Sequence, residues 1–152
     1  MGKQLSVVLQ TRSVDPLEEA QQMLRAATAR WEKAAEDGED PATLRILRSY
    51  VEGAGVSLEF SQLMGDLREL ELPVSVFRFA GLDFVSIPGE LFSTLLPDKQ
   101  TVAICYANGY DRYIADMEAY DKGYYEAMAA ILAKGQGELL RTRLKKELQN
   151  LG

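Results

Sequence analysis

The motif Pro88-Gly89-Glu90, which follows a β-rich run, is the first place in the sequence where chemistry is expected. Pro-Gly favours a sharp turn at the end of a strand, and Glu90 is the first ionisable side chain that such a turn presents. Because loops at strand ends often carry functional groups, Glu90 is a candidate functional carboxylate. The alternative interpretation is that Glu90 only occupies the first turn of a short helix.

A concentration of tyrosines follows the next β-rich run. Six of the seven tyrosines lie between residues 106 and 125. Phenol hydroxyls grouped in this way can serve a pocket or an interface, although core packing is the commoner reason. The same segment contains Asn108-Gly109, and Asn-Gly is a strong hairpin signal, so a plain type I′ turn is the alternative. We interpret Cys105 as a buried structural thiol, because no histidine and no neighbouring lysine can activate it.

The composition narrows the chemistry that these residues can perform. The 152 residues include no histidine and one cysteine. These counts exclude histidine-activated nucleophiles, an internal disulfide and a cysteine-cluster zinc site. The net charge of −6 argues against nucleic acid as a partner, because binding phosphates needs a cationic surface. No apolar run reaches the length of a membrane span, so we expect no transmembrane segment.

The hydrophobic pattern predicts a single domain over residues 1–152 that begins with two long helices. Helix-start signals at Asp15-Pro16 and Asp40-Pro41 each precede an apolar stripe at helical spacing. Because glycines interrupt the second stripe, that helix is expected to break at 53–55 and to resume as far as Leu70.

Four β-rich runs predict strands. They span residues 5–9, 74–79, 82–87 and 101–106. Pro73 marks the change from helical to β-rich sequence, and Ala80-Gly81 joins the second and third runs as a hairpin over 74–87. The predicted fold class is mixed α and β. It has a small mixed sheet, built from this hairpin and the last strand, that is packed by two or three N-terminal helices and by C-terminal helices at 124–133 and 137–148.

Taken in order, the motifs resemble a known enzyme family. Ile-Pro-Gly-Glu at 87–90, Tyr-Ala-Asn-Gly-Tyr-x-x-Tyr at 106–113 and Ala-Tyr-x-x-Gly-x-Tyr-Glu at 119–126 are similar to motifs of the neutral/alkaline, non-lysosomal ceramidases and their uncharacterised bacterial relatives. They match the C-terminal part of that family's catalytic domain. The segment 77–87 is similar as well, and the resemblance covers roughly residues 15–130.

This resemblance implies a zinc amidohydrolase that cleaves the amide of N-acylsphingosines. The family holds its metal with two histidines, the glutamate of Pro-Gly-Glu and a tyrosine of Asn-x-Tyr-x-x-Tyr, which makes Glu90 and Tyr113 the metal-ligand positions. Because the chain has no histidine, we expect it to bind zinc poorly and to be inactive alone. The other matching positions have no role assigned; they are Pro88, Gly89, Asn108, Tyr110, Tyr125 and Glu126.

Two functions from different classes follow. In the first, the chain is the C-terminal portion of a ceramidase-like amidohydrolase, cut, split or truncated from its histidine-bearing N-terminal portion. In the second, it is a non-catalytic domain that keeps the fold and uses its tyrosine-rich surface to bind a partner or an apolar or N-acyl lipid ligand. An upstream reading frame that encodes a histidine-bearing segment would favour the first.

The resemblance also predicts geometry. The Pro88-Gly89 turn and the loop after the 101–106 strand should meet at one edge of the sheet, with the strands at 82–87 and 101–106 side by side. Glu90 and Tyr113 should then face a common cleft. Their separation of 23 positions is shorter than in the family, so Tyr113 is the side chain expected to be displaced.

Apolar surface left by a missing half predicts a homo-oligomer. The cellular compartment is left open by the sequence, and is expected to be the cytoplasm if this N-terminus is the natural one.

Overall fold

The computed structural model describes residues 1–151 and has the predicted mixed α and β architecture. The strands are β1 (Gly2–Gln10), β2 (Glu69–Phe79), β3 (Leu82–Ser86), β4 (Glu90–Leu91), β5 (Thr101–Ile104) and β6 (Tyr113–Ile114). The α-helices are α1 (Leu17–Glu36), α2 (Pro41–Leu63), α3 (Met117–Lys122), α4 (Tyr125–Met128) and α5 (Gln136–Gln149). A short 3-10 helix spans Ser93–Leu95.

Four strands form one mixed sheet in the order β1-β2-β3-β5. β1 and β2 are antiparallel, as are β2 and β3, whereas β5 joins β3 in parallel. β4 and β6 form a separate parallel pair of two residues each. Because β3 and β5 pair in parallel, the segments that follow these two strands leave the sheet at the same end.

The main core lies between one face of this sheet and α5. Alternate positions of β1 and β2 bury their side chains, as the two-residue period of a strand dictates. The facing stripe of α5 is fully or almost fully buried as well. Fully buried members of this core are Leu9, Leu72, Val74, Val85, Leu140 and Leu144.

The helices that cover the sheet differ from the expected set. α5 packs on β1 and β2, whereas α1 packs mainly on α2, and α2 in turn packs on α4. Of α1, only Ala20 is buried, so the α1–α2 hairpin lies beside the sheet rather than on it. The sequence pattern predicts that α1 and α2 have apolar stripes, but these stripes cover each other.

The helix-start signals have different outcomes. The Asp40 carboxylate accepts hydrogen bonds from the N–H groups of Ala42 and Thr43, and Pro41 is the first residue of α2, as predicted. At the start of α1, Pro16 is itself the capping residue and no side chain caps the helix.

The second helix does not break at its glycines, and it ends before Leu70. α2 continues to Leu63 without interruption. Gly53 is buried against Met128, and a Cβ there would lie 2.6 Å from the Met128 Cε. Leu70 belongs to β2, which begins ahead of Pro73. Pro73 is tolerated although it has no N–H, because its nitrogen points away from β1 and towards the β3 side of the strand. β3 pairs only with residues 75–79, so no hydrogen bond is lost at Pro73.

Short elements account for the remaining differences. The predicted helix at 124–133 is only the four-residue α4, while the predicted 137–148 helix corresponds to α5. The strands β4 and β6 and the helix α3 were not predicted individually, because two to six residues carry too little periodicity. Within residues 1–151, no helix combines the length and apolar character needed to cross a bilayer.

Candidate functional site

The Pro88-Gly89 turn and the loop over 105–112 meet at the ends of β3 and β5. These two strands pair in parallel from Asp83 with Thr101 to Ser86 with Ile104, so both segments leave the sheet at one edge. The predicted adjacency of the two motif-bearing segments is therefore confirmed.

Backbone hydrogen bonds then lock the turn to the loop. The Ala107 N–H donates to the Ile87 carbonyl at 3.0 Å, the Tyr106 N–H to the Gly89 carbonyl at 3.3 Å, and the Glu90 N–H to the Arg112 carbonyl at 2.8 Å. The contact leaves no room for a side chain at Gly89, where a Cβ would lie 2.6 Å from the Arg112 carbonyl oxygen. The glycine of Pro-Gly-Glu is thus required by a close approach of two backbones.

Glu90 and Tyr113 are direct partners in the β4–β6 pair. Their Cα atoms are in register, and parallel register places the two side chains on the same face. Two of the alternatives are therefore wrong. Glu90 begins a strand rather than a helix, and Asn108-Gly109 does not join two antiparallel strands. The shortened interval does not separate Tyr113 from Glu90.

A cluster of aromatic residues surrounds this pair. Tyr106 and Tyr110 stack with ring centroids 5.4 Å apart, and Tyr125, from α4, meets the edge of Tyr113 at 5.9 Å. Tyr106 and Tyr110 are 57% and 54% exposed, whereas Tyr113 and Tyr125 are half-buried. We call Glu90 and these four tyrosines the tyrosine cluster.

Glu90 and Tyr106 are coupled. Interaction with the Glu90 carboxylate is the main cause that raises the pKa of Tyr106 to about 12. At neutral pH the phenol is therefore protonated, so its O–H can donate to the carboxylate. Tyr106 was not among the predicted site residues, although it ends a predicted strand at the correct edge.

The pKa values of Tyr113 and Tyr125 are also raised. Burial is the main cause for both side chains, and the negative charge of Glu90 adds to it for Tyr113, as that of Glu52 does for Tyr125. Both phenols are therefore neutral at physiological pH unless a cation is close to the oxygen.

The loop is held in an unfavourable backbone conformation. Tyr106, Asn108 and Arg112 all have a positive φ, between 60° and 64°. Outside glycine this region is sparsely populated, and such residues often cluster at functional sites. Arg112 is anchored by an ion pair with Glu59 at 2.7 Å and lies over the Phe60 ring at 5.2 Å, which ties the loop to α2.

The other motif positions have mixed surroundings. Pro88 is fully buried in the turn, and Asn108 is exposed. Glu126 lies in the first turn of α4 and contributes to the raised pKa of Tyr113 and Tyr125. Cys105, predicted to be buried, is only half-buried.

The donor atoms of the cluster fit part of a zinc site. A carboxylate and a phenol oxygen are acceptable ligands, but a catalytic zinc site needs three protein ligands. Within residues 1–151, no group of three or more histidine, cysteine, aspartate or glutamate side chains is placed to hold a metal ion. Glu90 and Tyr113 therefore fit zinc only if further ligands are supplied from elsewhere.

In comparisons with protein-family models, curated proteins and solved structures, none matches the chain. The geometry of the tyrosine cluster is therefore what carries a functional conclusion.

Proposed function

We propose that this chain supplies the glutamate and tyrosine ligands of a ceramidase-like zinc amidohydrolase, whose remaining ligands come from a histidine-bearing segment. The observation that carries the proposal is the in-register pairing of Glu90 with Tyr113. This pairing brings together two residues from short motifs that lie 23 positions apart in sequence.

The chain's own residues have distinct roles in this proposal. Glu90 and Tyr113 would hold the metal. The Tyr106 hydroxyl, whose pKa is raised mainly by Glu90, would orient the Glu90 carboxylate by donating a hydrogen bond to it. Gly89 allows the turn and the loop to approach closely enough for both ligands to face one place. When bound, zinc would supply an activated water for amide hydrolysis.

Tyr113 would need its environment to change when metal binds. Its raised pKa, caused mainly by burial and by Glu90, disfavours the phenolate in the chain alone. A divalent cation beside the oxygen reverses this preference. The histidine-bearing segment and the metal are therefore expected to bind together.

Zinc binding to the purified chain, measured by calorimetry with zinc alone, provides the first test. We expect weak binding and no zinc-dependent hydrolysis of N-acylsphingosine amides, because two oxygen ligands leave the metal undercoordinated. Robust turnover by this chain alone, lost on chelation and restored by zinc, would contradict the proposal.

Reconstitution with the polypeptide encoded by an adjacent histidine-bearing reading frame provides the second test. The mixture should bind zinc tightly and hydrolyse the amide. Glu90→Gln should abolish both, while the control Glu118→Gln, on the exposed surface of α3, should change neither. Tyr113→Phe should weaken zinc binding, whereas Tyr110→Phe, in the same loop, should leave it unchanged.

A second candidate function is favoured by the exposed pair Tyr106 and Tyr110. Their rings stack in solvent at the end of a strained loop. A groove of about 620 Å³ beside α1 and α2 reaches Tyr125 of the cluster. Trp31 and Leu44 form its apolar part, and the rest of its lining is polar: Arg45, Arg48, Ser49, Glu52 and Glu126. The exposed rings and the apolar part of this groove suit an apolar or N-acyl lipid ligand that is bound without hydrolysis.

Binding of N-acylsphingosine in detergent micelles, followed by the fluorescence of Trp31, separates the two functions. A non-catalytic binding domain would bind without zinc, would lose affinity in Tyr106→Ala and Tyr110→Ala, and would be insensitive to Glu90→Gln. Binding that requires both zinc and Glu90 would favour the amidohydrolase.

A further inference from the structure

The outer edge of β1 presents a row of backbone hydrogen-bonding groups. In an antiparallel pair, alternate residues bond to the neighbouring strand. Met1 exchanges hydrogen bonds with Arg78, and the Thr11 N–H donates to the Arg68 carbonyl at 2.9 Å, so odd-numbered residues of β1 bond to β2. Even-numbered residues therefore direct their N–H and C=O groups away from the sheet.

One even-numbered residue is already satisfied. The Gln10 N–H donates to the Gln136 side chain at 2.9 Å, and the Gln10 carbonyl accepts from the Ala133 N–H at 3.0 Å. No other part of residues 1–151 pairs with the outward backbone groups of the rest of the set. The free set consists of Gly2, Gln4, Ser6 and Val8.

Protein sheets usually protect an exposed edge, and this edge has little protection. Proline, a bulge, charged side chains or a very short strand are the usual devices. The other edge of the sheet, β5, is only four residues long. β1 has nine residues without proline, its register with β2 is continuous, and the one charged side chain, Lys3, is paired with Glu147 on α5.

We propose that β1 pairs with β1 of a second copy in an antiparallel, two-fold symmetric dimer, which joins the two sheets into one. The free set is itself symmetric about Leu5. Pairing Gly2 with Val8 and Gln4 with Ser6 across the axis uses the four free N–H and four free C=O groups of each chain. A two-fold axis at Leu5 also pairs this half-buried side chain with its copy on the core face.

Charge favours a second copy as the occupant. Leu139, Arg143 and Glu147 of α5 border the same groove as the middle of β1. A two-fold axis makes the two α5 helices antiparallel, so Arg143 of one copy can approach Glu147 of the other, which it would share with Lys3 of that copy. The exposed side chain of Leu139 gains apolar cover in the same step.

The expected affinity is modest. Nine strand residues and one helix stripe form about half of the roughly 20 to 30 residues a side of a standard interface. We therefore expect a dissociation constant in the micromolar range, measurable by sedimentation velocity between low and high micromolar concentration.

Ser6→Pro tests the pairing. It removes an outward N–H and the side-chain contact with Glu71, but no backbone hydrogen bond to β2, so the monomer should fold. Dimerisation should weaken by about tenfold or more, because two symmetric interfacial hydrogen bonds are lost. Ser6→Ala, which keeps the N–H and loses only the side-chain contact with Glu71, should dimerise like the unmodified chain.

Charge reversal tests the symmetry. Arg143→Glu alone should weaken the dimer. Combining it with Glu147→Arg and Lys3→Glu, which keeps the ion pair between positions 3 and 147 with reversed charges, should restore the dimer. Amide hydrogen exchange at Gln4, Ser6 and Val8 should slow as the concentration rises, while exchange at odd-numbered positions should already be slow. A chain that stays monomeric throughout, or a dimer that Ser6→Pro leaves intact, would overturn the proposal. It would also be overturned if the even-numbered amides of β1 were protected only when a different polypeptide is added, because that polypeptide would then be the partner of this edge.

Discussion

The turn at Ala80-Gly81 and the loop over 105–112 both hold non-glycine residues at positive φ, but they do so for different reasons. Ala80 has a φ of 50° and Gly81 of 79°, and the turn joins two neighbouring antiparallel strands. Positive φ at both central residues is what a type I′ hairpin requires, so this conformation is set locally by strand twist.

In the loop, the same conformation is held from a distance. Its backbone is fixed by hydrogen bonds to residues 87–90 and by the Arg112 ion pair with Glu59. Each non-glycine residue in this region costs about 1 kcal/mol or more, and the long-range contacts offset that cost. The comparison indicates that strain in the loop is coupled to the assembly of Glu90 and Tyr113, whereas strain in the hairpin is independent of the site.

The largest expected effect comes from Gly89→Ala, which should uncouple the loop from the turn. The added Cβ would lie 2.6 Å from the Arg112 carbonyl oxygen, and both groups belong to backbones that cannot rotate away. We expect a loss of about 2–3 kcal/mol in the free energy of unfolding, measured with urea.

The matched control for this prediction is Gly55→Ala in α2. No atom lies within 4 Å of a Cβ at that position. Since alanine is the better helix former, the control should gain about 0.5–1 kcal/mol. Equal effects at the two positions would show that the close approach at Gly89 does not constrain the loop.

A smaller effect is expected from Arg112→Ala. This change removes the ion pair with Glu59 and the contact with the Phe60 ring, and both are partly exposed. We expect a loss of about 1–2 kcal/mol in the free energy of unfolding. In a chain that already contains Glu59→Gln, the same change should cost less, because the ion pair is already absent. Full additivity in this double-mutant cycle would mean that the ion pair does not hold the loop.

The sequence predicts the local elements better than the distant contacts. The strand periodicity predicted β1 and the hairpin, and the Asp40-Pro41 signal predicted the start of α2, because each depends on residues close in sequence. Pro73 can occupy a strand position only because no residue of β3 pairs with it, so its missing N–H leaves no acceptor unsatisfied. The sequence does not show where β3 ends relative to Pro73.

The candidate site also contains residues that the sequence predicts and residues that depend on distant contacts. Family resemblance pointed to Glu90 and Tyr113, and the parallel strands bring these residues together. Tyr106 is not predicted because its role depends on its interaction with Glu90, which is 16 positions away in sequence. The packing of Gly53 against Met128 is not predicted for the same reason, since the two residues are far apart in sequence.

The pH dependence of Tyr106 provides a spectroscopic test of the loop. In the folded chain its pKa is raised to about 12, compared with about 10 for a free phenol. Because the native state then binds the proton more tightly than the unfolded state, this group lowers stability as pH rises from about 10 to about 12. Glu90→Gln should move the absorbance titration of Tyr106 towards its ordinary value.

Tyr120 needs to be controlled in this experiment, because burial also raises its pKa to about 12 and its hydroxyl donates to the Leu132 carbonyl. Tyr120→Phe should remove one tyrosine from the late part of the titration without altering the response to Glu90→Gln. A titration that Glu90→Gln leaves unchanged would mean that Tyr106 and Glu90 are not hydrogen-bonded.

The smallest effects should come from exchanging asparagine and alanine between the two segments. Ala80→Asn creates Asn-Gly, the preferred type I′ pair, and should add about 0.5–1 kcal/mol to the free energy of unfolding. Asn108→Ala should lower the free energy of unfolding by a similar amount, because alanine adopts the left-handed conformation less readily than asparagine. Only the second change should also alter zinc binding in the reconstituted mixture, since Asn108 lies in the loop that places Tyr113. If Ala80→Asn altered zinc binding as well, the hairpin would be coupled to the site and the two segments would not be held in different ways.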